Sequence, residues 1–367
     1  MSIINNPAAT DKQEFWRTMP KIMLHEHLDG GLRPQTLWDL CQAKGLALPA
    51  RDAQALAEWL ASNADSGSLE RYLACFGLTV AAMGDAAACE RVAYEAVLDA
   101  RAEGCVLAEF RMAPLLLEPA GLSGEAAVEA LLSGLGRGAL ETGLPVGLIV
   151  CAMRMDTPEK VERAARLAAR YATLSSTSLG ASPSVVGFDL AGAEAGFPAT
   201  THRKAIHLAR DAGLGITLHA GEADEGARVL EAIALGASRI GHGVRIAIGE
   251  SAAQRMAEAA IGTGREKVHF EVCPTSNVHT GAVPSLAAHP LRQMLRAGLS
   301  VSVQTDNRLI SHVTMGSELQ LAHDQLGISI GDLTQMAQAA AEASFLPMAA
   351  RAQAAAAVQV WCTQMGL

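Results

Sequence analysis

The stretch KIMLHEHLDGG, residues 21–31, decides how the rest of the chain is interpreted. It begins as an apolar run with the length of a strand and ends in His25 and His27, followed by a turn with two glycines. Residues i and i+2 of a strand point to the same side, so both imidazoles can reach one metal ion. The pattern predicts a strand with chemically active side chains at its carboxyl end, although an HxH pair alone also arises by chance.

Seven further apolar runs follow, with helical patterns between them. The runs are GCVLAEFRM (104–112), PVGLIVCAM (145–153), SVVGFDL (184–190), GITLH (215–219), RIGH (239–242), KVHFEV (267–272) and LSVSVQT (299–305). Their apolar residues are consecutive, which is typical of parallel strands covered on both faces. Eight strands, each followed by a helix, predict an α/β fold, a (β/α)₈ TIM barrel. A doubly wound sheet is the alternative, but no glycine-rich phosphate motif follows the first strand.

The domain organisation follows from the same pattern. We expect residues 1–367 to form a single barrel domain, because no proline-rich linker and no internal repeat interrupts the alternation. The first two strands are separated by a segment far longer than one crossover helix. We therefore expect a helical insert at about residues 50–100 that forms a lid over the carboxyl ends of the strands.

Composition excludes several classes of function. The chain has 367 residues, a formal net charge of −9 and only 18% charged residues, which excludes a long disordered chain. An acidic chain has no general attraction to a phosphate backbone, so we expect no nucleic-acid partner. No apolar run is long enough to span a membrane, and the start, MSIINNPAATDKQEFW, does not resemble a signal peptide. Seven scattered cysteines are typical of a reducing compartment, and we expect a cytoplasmic protein without a membrane partner.

Polar residues recur at the ends of the predicted strands. His219 ends the fifth strand in the motif HAGE, His242 ends the sixth, and Asp306 ends the eighth. Each alone fits a buried polar group that is satisfied by hydrogen bonds. Together with the HxH pair they converge if the strands close into a ring, and imidazole and carboxylate suit zinc. Glu222, in the loop after the fifth strand, is a candidate general acid or merely an exposed residue at the start of a helix.

Six ordered segments resemble the adenosine deaminase family of the amidohydrolase superfamily. They are LHEHLDGGLRP (24–34), GFDLAGAE (187–194), TLHAGE (217–222), RIGHG (239–243), EVCPTSN (271–277) and QTDN (304–307). The resemblance covers roughly residues 18–345. It implies a zinc-dependent hydrolytic deaminase of a 6-aminopurine nucleoside, adenosine or deoxyadenosine, that releases ammonia.

The resemblance also implies the roles of individual residues. One zinc ion would be bound by a set from three strands: His25, His27, His219 and Asp306. Glu222 would protonate the purine ring, and His242 would position the attacking water. Asp29 would face the ribose hydroxyls, and Gly192 would contact the purine through its backbone. Arg111, by contrast, is expected to have a structural hydrogen-bonding role.

One position departs from the family pattern, and three other interpretations stay open. Asn307 stands where a second aspartate is more common, and we expect its amide to donate to the purine ring. A related enzyme would deaminate another 6-aminopurine compound, such as aminodeoxyfutalosine or a modified adenine nucleoside. A two-metal lactone or phosphoester hydrolase is disfavoured because the fourth strand, ending DLAGAEAG, supplies no lysine. A binding or signalling protein on this fold would need no acid at Glu222.

Overall fold

Eight parallel strands lie side by side in the order in which they occur in the chain. The computed structural model describes residues 9–172, 183–261 and 267–367. Its strands are β1 (Lys21–His27), β2 (Cys105–Met112), β3 (Val146–Met153), β4 (Val185–Ala191), β5 (Gly215–Ala220), β6 (Arg239–His242), β7 (His269–Val272) and β8 (Ser300–Val303). A doubly wound sheet would reverse its strand order, so the sequential order confirms the predicted (β/α)₈ barrel.

The barrel closes between its first and last strands through few backbone hydrogen bonds. His27 N donates to Asp306 O at 2.8 Å, and Asp306 N donates to His25 O at 2.9 Å. Two residues before Asp306, the side chain of Gln304 takes the place of a backbone partner, because its Oε1 accepts a hydrogen bond from Leu24 N at 2.8 Å. Its Nε2 donates to Ile22 O at 3.1 Å. The seam of the ring therefore includes three residues with predicted metal-binding roles, His25, His27 and Asp306.

Helices surround the strands and fill the connections. They are α1 (Ala9–Thr18), α2 (Pro34–Lys44), α3 (Ala53–Ala64), α4 (Leu69–Ala74), α5 (Phe76–Ala82), α6 (Ala86–Ala102), α7 (Gly124–Thr142), α8 (Pro158–Arg170), α9 (Arg203–Asp211), α10 (Ala227–Ala234), α11 (Ala252–Ile261), α12 (Pro274–His279), α13 (Leu291–Arg296), α14 (Met315–Asp324), α15 (Ile330–Ala343) and α16 (Met348–Met365). The long connection between β1 and β2 contains α2 to α6, and α6 packs against β2 and α7.

Most strand boundaries differ by one or two residues from the predicted runs, and β7, for example, begins at His269 rather than at 267. β1 extends to His27, which pairs with Arg111 on β2. β8 ends at Val303 rather than at 305, where the side chain of Gln304 takes over the pairing. The ends of β1 and β8 lie at the seam, where side-chain contacts determine whether a strand continues.

The interior is apolar, as consecutive apolar runs predict. Phe110, Phe188 and Phe270 are each fully buried on their strands. All seven cysteines are free and buried, which matches their interpretation as small core residues. Within the described ranges, no single helix has the length and hydropathy of a membrane span, and one helix pair, Leu69–Ala82 with Ala86–Ala102, meets that test only jointly across a 116° bend.

Candidate active site

A cavity of about 330 Å³ lies at the carboxyl ends of the strands. One side is apolar and is contributed in part by α4 and α5: Leu69, Leu73, Phe76 and Val80. The other side contains the predicted site residues His27, Asp29, Gly192, His219, Glu222, His242, Asp306 and Asn307. The structure thus brings the candidates from five different strand ends into one space, where barrel enzymes place their active sites.

Four imidazole rings converge at the base of this cavity. The ring centroid of His25 lies 5.3 Å from that of His27, 4.7 Å from that of His219 and 4.9 Å from that of His242. Asp306 Oδ1 lies 3.3 Å from His25 Nε2 and 3.5 Å from His27 Nε2. Donor atoms of His25, His219, His242 and Asp306 all lie within 4.8 Å of one another.

These residues fit a metal ion. His25 Nε2 is buried and has no hydrogen-bond partner, although a buried polar atom without one is costly. Asp306 keeps a carboxylate oxygen within 3.5 Å of two imidazole nitrogens. Histidine nitrogens with one carboxylate are ligands that suit zinc. The group of close donor atoms contains His242 and not His27, whereas the expectation from the sequence named His27 and not His242 as a ligand.

The hydrogen-bond partners of the Nδ1 atoms distinguish His25 and His219 from His242. Nδ1 of His25 lies 2.9 Å from Glu271 Oε2, and Nδ1 of His219 lies 3.0 Å from Asp189 Oδ2. A carboxylate only accepts, so each Nδ1 carries the proton and each Nε2 presents a lone pair. His242 is the reverse case, because Asn277 Nδ2 donates to its Nδ1 at 3.1 Å. Its proton is therefore on Nε2, which suits a hydrogen-bond donor rather than a ligand.

Arg111 joins the two carboxylates that hold His25 and His219. Its guanidinium donates to Asp189 Oδ2 at 2.9 Å and to Glu271 Oε2 at 2.7 Å, and all three side chains are fully buried. Burial alone raises the pKa of Asp189, but the neighbouring His219 and Arg111 hold this pKa well below its usual value. Both carboxylates are thus ionised acceptors, and Arg111 has the structural role expected of it.

Glu222 is buried at the edge of the same cluster. Burial, reinforced by the nearby Asp306 and Glu194 carboxylates, raises the pKa of Glu222 to about 8. The carboxyl is therefore largely protonated near neutral pH, as a general acid requires. Only 4% of Glu222 is exposed, so it is not an exposed residue at a helix start.

The loop that carries Glu222 is fixed by a second carboxylate. Glu194 accepts hydrogen bonds from the backbone N–H groups of Gly221 at 2.6 Å, Glu222 at 2.9 Å, Ala223 at 2.7 Å and Asp224 at 3.1 Å. Four donors to one carboxylate hold the backbone of this turn rigidly. Sequence reasoning quoted Glu194 within a motif but gave it no role.

Two site residues have an unusual backbone conformation. His242 has φ +60° and Asp306 has φ +65°. Both values lie in the left-handed region, which residues other than glycine rarely adopt. Such conformations cost free energy and persist where the surrounding structure enforces them, often at functional sites. At both strand ends the chain therefore turns sharply at the residue whose side chain enters the cavity.

The three residues predicted to contact substrate all line the cavity. Burial raises the pKa of Asp29 to about 7, and its Oδ1 has no hydrogen-bond partner. Gly192 has φ +94°, which strains any residue with a side chain, and a Cβ there would also have to displace the flexible side chain of Met155, whose Sδ would be 2.5 Å away. Asn307 donates through Nδ2 to the hydroxyl of Tyr72 at 3.0 Å, a contact that sequence reasoning did not anticipate.

Fold and site together define a metal-dependent hydrolase of the barrel class, and the comparisons identify its family. The adenosine deaminase family model matches residues 20–361, so the chain belongs to the adenosine deaminase family. The adenosine deaminase of Mycobacteroides abscessus is 42% identical over 339 residues, covering 89% of this chain and 91% of that one.

Two solved structures show the same fold at lower identity. The crystal structure of an adenine deaminase from Arthrobacter aurescens has a TM-score of 0.82 and 25% identity, covering 94% of this chain and 100% of that one. The arabidopsis N6-mAMP deaminase has a TM-score of 0.79 and 26% identity, covering 95% and 99%. The chain is thus similar to proteins named for a nucleoside, a nucleobase and a nucleotide.

Proposed function

We propose that this chain is a zinc-dependent hydrolytic deaminase that converts adenosine or deoxyadenosine to the 6-oxopurine nucleoside and ammonia. The observation that carries the proposal is Glu222, a buried carboxyl with a pKa of about 8, set beside a cluster of metal-ligating side chains. A binding protein needs ligands for its partner but no acid that remains protonated near neutral pH.

The metal role is assigned to His25, His27, His219 and Asp306, with one zinc ion. The protonation of His25 and His219 on Nδ1 supports this assignment, because it leaves Nε2 free on each ring. When bound, zinc lowers the pKa of water and so supplies a hydroxide nucleophile near neutral pH. A two-metal hydrolase of this fold would need a lysine at the end of β4 to bridge the two ions. The described residues of β4 include no lysine, which disfavours such an enzyme.

Glu222 and His242 are assigned the catalytic roles. Glu222 holds a proton that it delivers to the purine ring nitrogen beside the amino-bearing carbon. Addition of water to that carbon then leaves no negative charge on the ring, and loss of ammonia gives the 6-oxopurine. His242 keeps its proton on Nε2, because Asn277 occupies Nδ1. This N–H donates to the attacking oxygen and orients it.

A nucleoside fits the cavity better than a nucleotide. Among the described residues, none of those that line the cavity is lysine or arginine. A phosphate group would meet Asp29, Glu222 and Asp306 without a compensating cation, although buried anions need a charged or strongly donating partner. Asp29, which lines the cavity, instead accepts hydrogen bonds from ribose hydroxyls through its carboxylate, and Gly192 lets the purine approach the backbone closely.

The remaining expectations belong to the same proposal. Residues 1–367 form one barrel domain, and the insert at about residues 50–100 acts as a lid, because side chains of α4 and α5 line the cavity opposite the metal cluster. The partner is a small purine nucleoside. Seven free cysteines support a cytoplasmic location, where thiols stay reduced.

The test is ammonia release by the purified protein across a panel of 6-aminopurine compounds, together with metal analysis. The panel contains adenosine, deoxyadenosine, adenine, AMP, N6-mAMP and aminodeoxyfutalosine. We expect the highest kcat/KM for the two nucleosides and close to one zinc per chain. Preference for AMP would contradict the argument from charge, and preference for aminodeoxyfutalosine or adenine would reassign the substrate within the family.

A further inference from the structure

We propose that Tyr72 is a positioning residue for purine recognition, and this inference rests on the proposed function. Its hydroxyl orients the amide of Asn307 so that one N–H remains free for the acceptor nitrogen of the imidazole ring of the purine. It does so only while α4 lies over the cavity. Tyr72 thereby couples the position of the insert to substrate choice.

Tyr72 links two parts of the chain that are distant in sequence. It lies on α4, within the insert, and only 2% of it is exposed. Its hydroxyl oxygen lies 3.0 Å from Asn307 Nδ2 and 2.7 Å from Ser311 Oγ. Both partners follow β8, on the opposite side of the cavity. A hydroxyl that is buried away from water needs such partners, and here both come from the loop that carries Asn307.

The proton of the tyrosine can be placed from these contacts. An amide nitrogen is a donor only, so Asn307 Nδ2 donates and the tyrosine oxygen accepts. The hydroxyl proton of Tyr72 is then directed to Ser311 Oγ. This chain of donors and acceptors keeps the nitrogen of the Asn307 amide, rather than its oxygen, next to Tyr72.

The free amide proton faces the substrate. Asn307 Oδ1 is buried and has no hydrogen-bond partner; it lies against Gly30, where a Cβ would be only 1.9 Å away. The oxygen is therefore not available to a ligand. Nδ2 has two hydrogens, of which Tyr72 accepts one, and Asn307 lines the cavity. The second N–H is the donor that the cavity offers to an unprotonated ring nitrogen.

The experiment compares adenosine with the analogue in which carbon replaces that ring nitrogen, in native enzyme and in Tyr72→Phe. The native enzyme should prefer adenosine in kcat/KM by about 5- to 150-fold, the range for leaving a buried donor unpaired. In Tyr72→Phe this preference should fall at least about 5-fold, because the amide loses its fixed orientation. The kcat/KM for adenosine should decrease more than that for the analogue.

Two further variants complete the design. Ser311→Ala keeps the tyrosine but removes the hydroxyl that accepts its proton, so this proton turns to another acceptor, and the amide oxygen of Asn307 is the acceptor that we expect. The amide should flip, and the preference should fall in the same direction. Tyr171→Phe removes a hydroxyl that bonds Glu129 on the surface and should leave the preference unchanged.

The outcomes separate the two proposals. If native enzyme deaminates adenosine and Tyr72→Phe and Ser311→Ala lower kcat/KM equally for both compounds, Tyr72 only shapes the insert and the inference is wrong. If the native enzyme deaminates no nucleoside of the panel, the proposed function itself fails, and the inference falls with it.

Discussion

Oε2 of Glu222 lies 3.6 Å from Nε2 of His242, so side chains from the loop after β5 and the end of β6 face the same point in the cavity. Burial holds the pKa of His242 well below its usual value, while burial raises that of Glu222. Both groups are consequently neutral near pH 7, one as a carboxylic acid and one as an imidazole. A pair of neutral donors is what the addition of water to a purine requires.

Replacement of the acid tests this arrangement directly. Glu222→Gln keeps the size and the hydrogen bonds of the side chain but has no proton to deliver to the ring. We expect metal content to stay native and kcat to fall by at least about 100-fold, the low end for general acid catalysis. Glu225→Gln, an exposed change in the same loop, is the matched control. Near-native turnover of Glu222→Gln would remove the acid from the mechanism.

The pH profile follows from the raised pKa of Glu222. The active form of Glu222 is protonated, so this group should cause no loss on the acid side, and kcat/KM should fall as pH rises through its pKa. That value is about 8 in the protein alone, and a bound metal cation favours the carboxylate, so the midpoint should lie at or below about 8. Stopped assays across pH 5–10 measure it, and the residual activity of Glu222→Gln should lack this limb. An identical limb in that variant would assign it to another group.

Two histidine variants distinguish ligand from non-ligand. His219→Ala should lose bound zinc and nearly all turnover, because it removes an Nε2 that points at the metal. His242→Ala should keep the metal and still lose turnover, because the proton on its Nε2 makes it a donor. Elemental analysis of both proteins, with half-buried His207→Ala as a control, makes the comparison. Equal loss of zinc in both would place His242 among the ligands.

The carboxylates behind the histidines should tune metal affinity. Asp189→Asn weakens the acceptor for His219 Nδ1 and no longer fixes the tautomer that leaves Nε2 free. We expect zinc affinity to fall about 10- to 100-fold, as for other partners of ligating histidines. Competition with a zinc chelator measures it. Asp211→Asn, an exposed change at the end of α9, should leave affinity native; native affinity in Asp189→Asn would show that this carboxylate serves only Arg111.

Hydrogen exchange tests the lid. With a tight 6-hydroxylated purine analogue bound, amide exchange in α4 and α5 should slow, because the analogue fills the cavity that these helices cover. α16 has no residue at the cavity and serves as the internal reference. Unchanged exchange in α4 and α5 with the analogue bound would mean that the insert is a fixed wall.

The sequence predicted the barrel because apolar runs mark its strands, whereas the site residues were proposed partly from their place at strand ends and partly from the family resemblance. Apolar runs identified the eight strands, and the runs of β5 and β6 end in His219 and His242, which line the cavity. Asp189 and Glu271 went unassigned, although a signal was present: each is a charged residue within a buried apolar strand. Such a residue must be paired, and its partner Arg111 was already noted.

Other features could not be predicted because they depend on distances across the fold. Tyr72 has the spacing of an ordinary core residue in a helix, and nothing local indicates that its hydroxyl meets Asn307. The four backbone donors to Glu194 likewise come from a loop that follows a different strand. The pKa of Glu222 reflects burial by the whole cavity, which no local pattern encodes.

Because the candidate metal site lies at the seam between β1 and β8, a bound ion would connect the first and the last strand of the barrel. Leu24 and Gln304 are separated by 280 residues, and the ring is joined there by the glutamine side chain, by a pair of backbone bonds and by contacts of Glu26 with Thr305 and Arg308. His25, His27 and Asp306 lie on opposite sides of this joint. A shared ion would act as a cross-link between the two ends of the fold, much as a disulfide joins distant segments. Loss of the ion should therefore loosen the barrel first at the point where the chain's beginning meets its end.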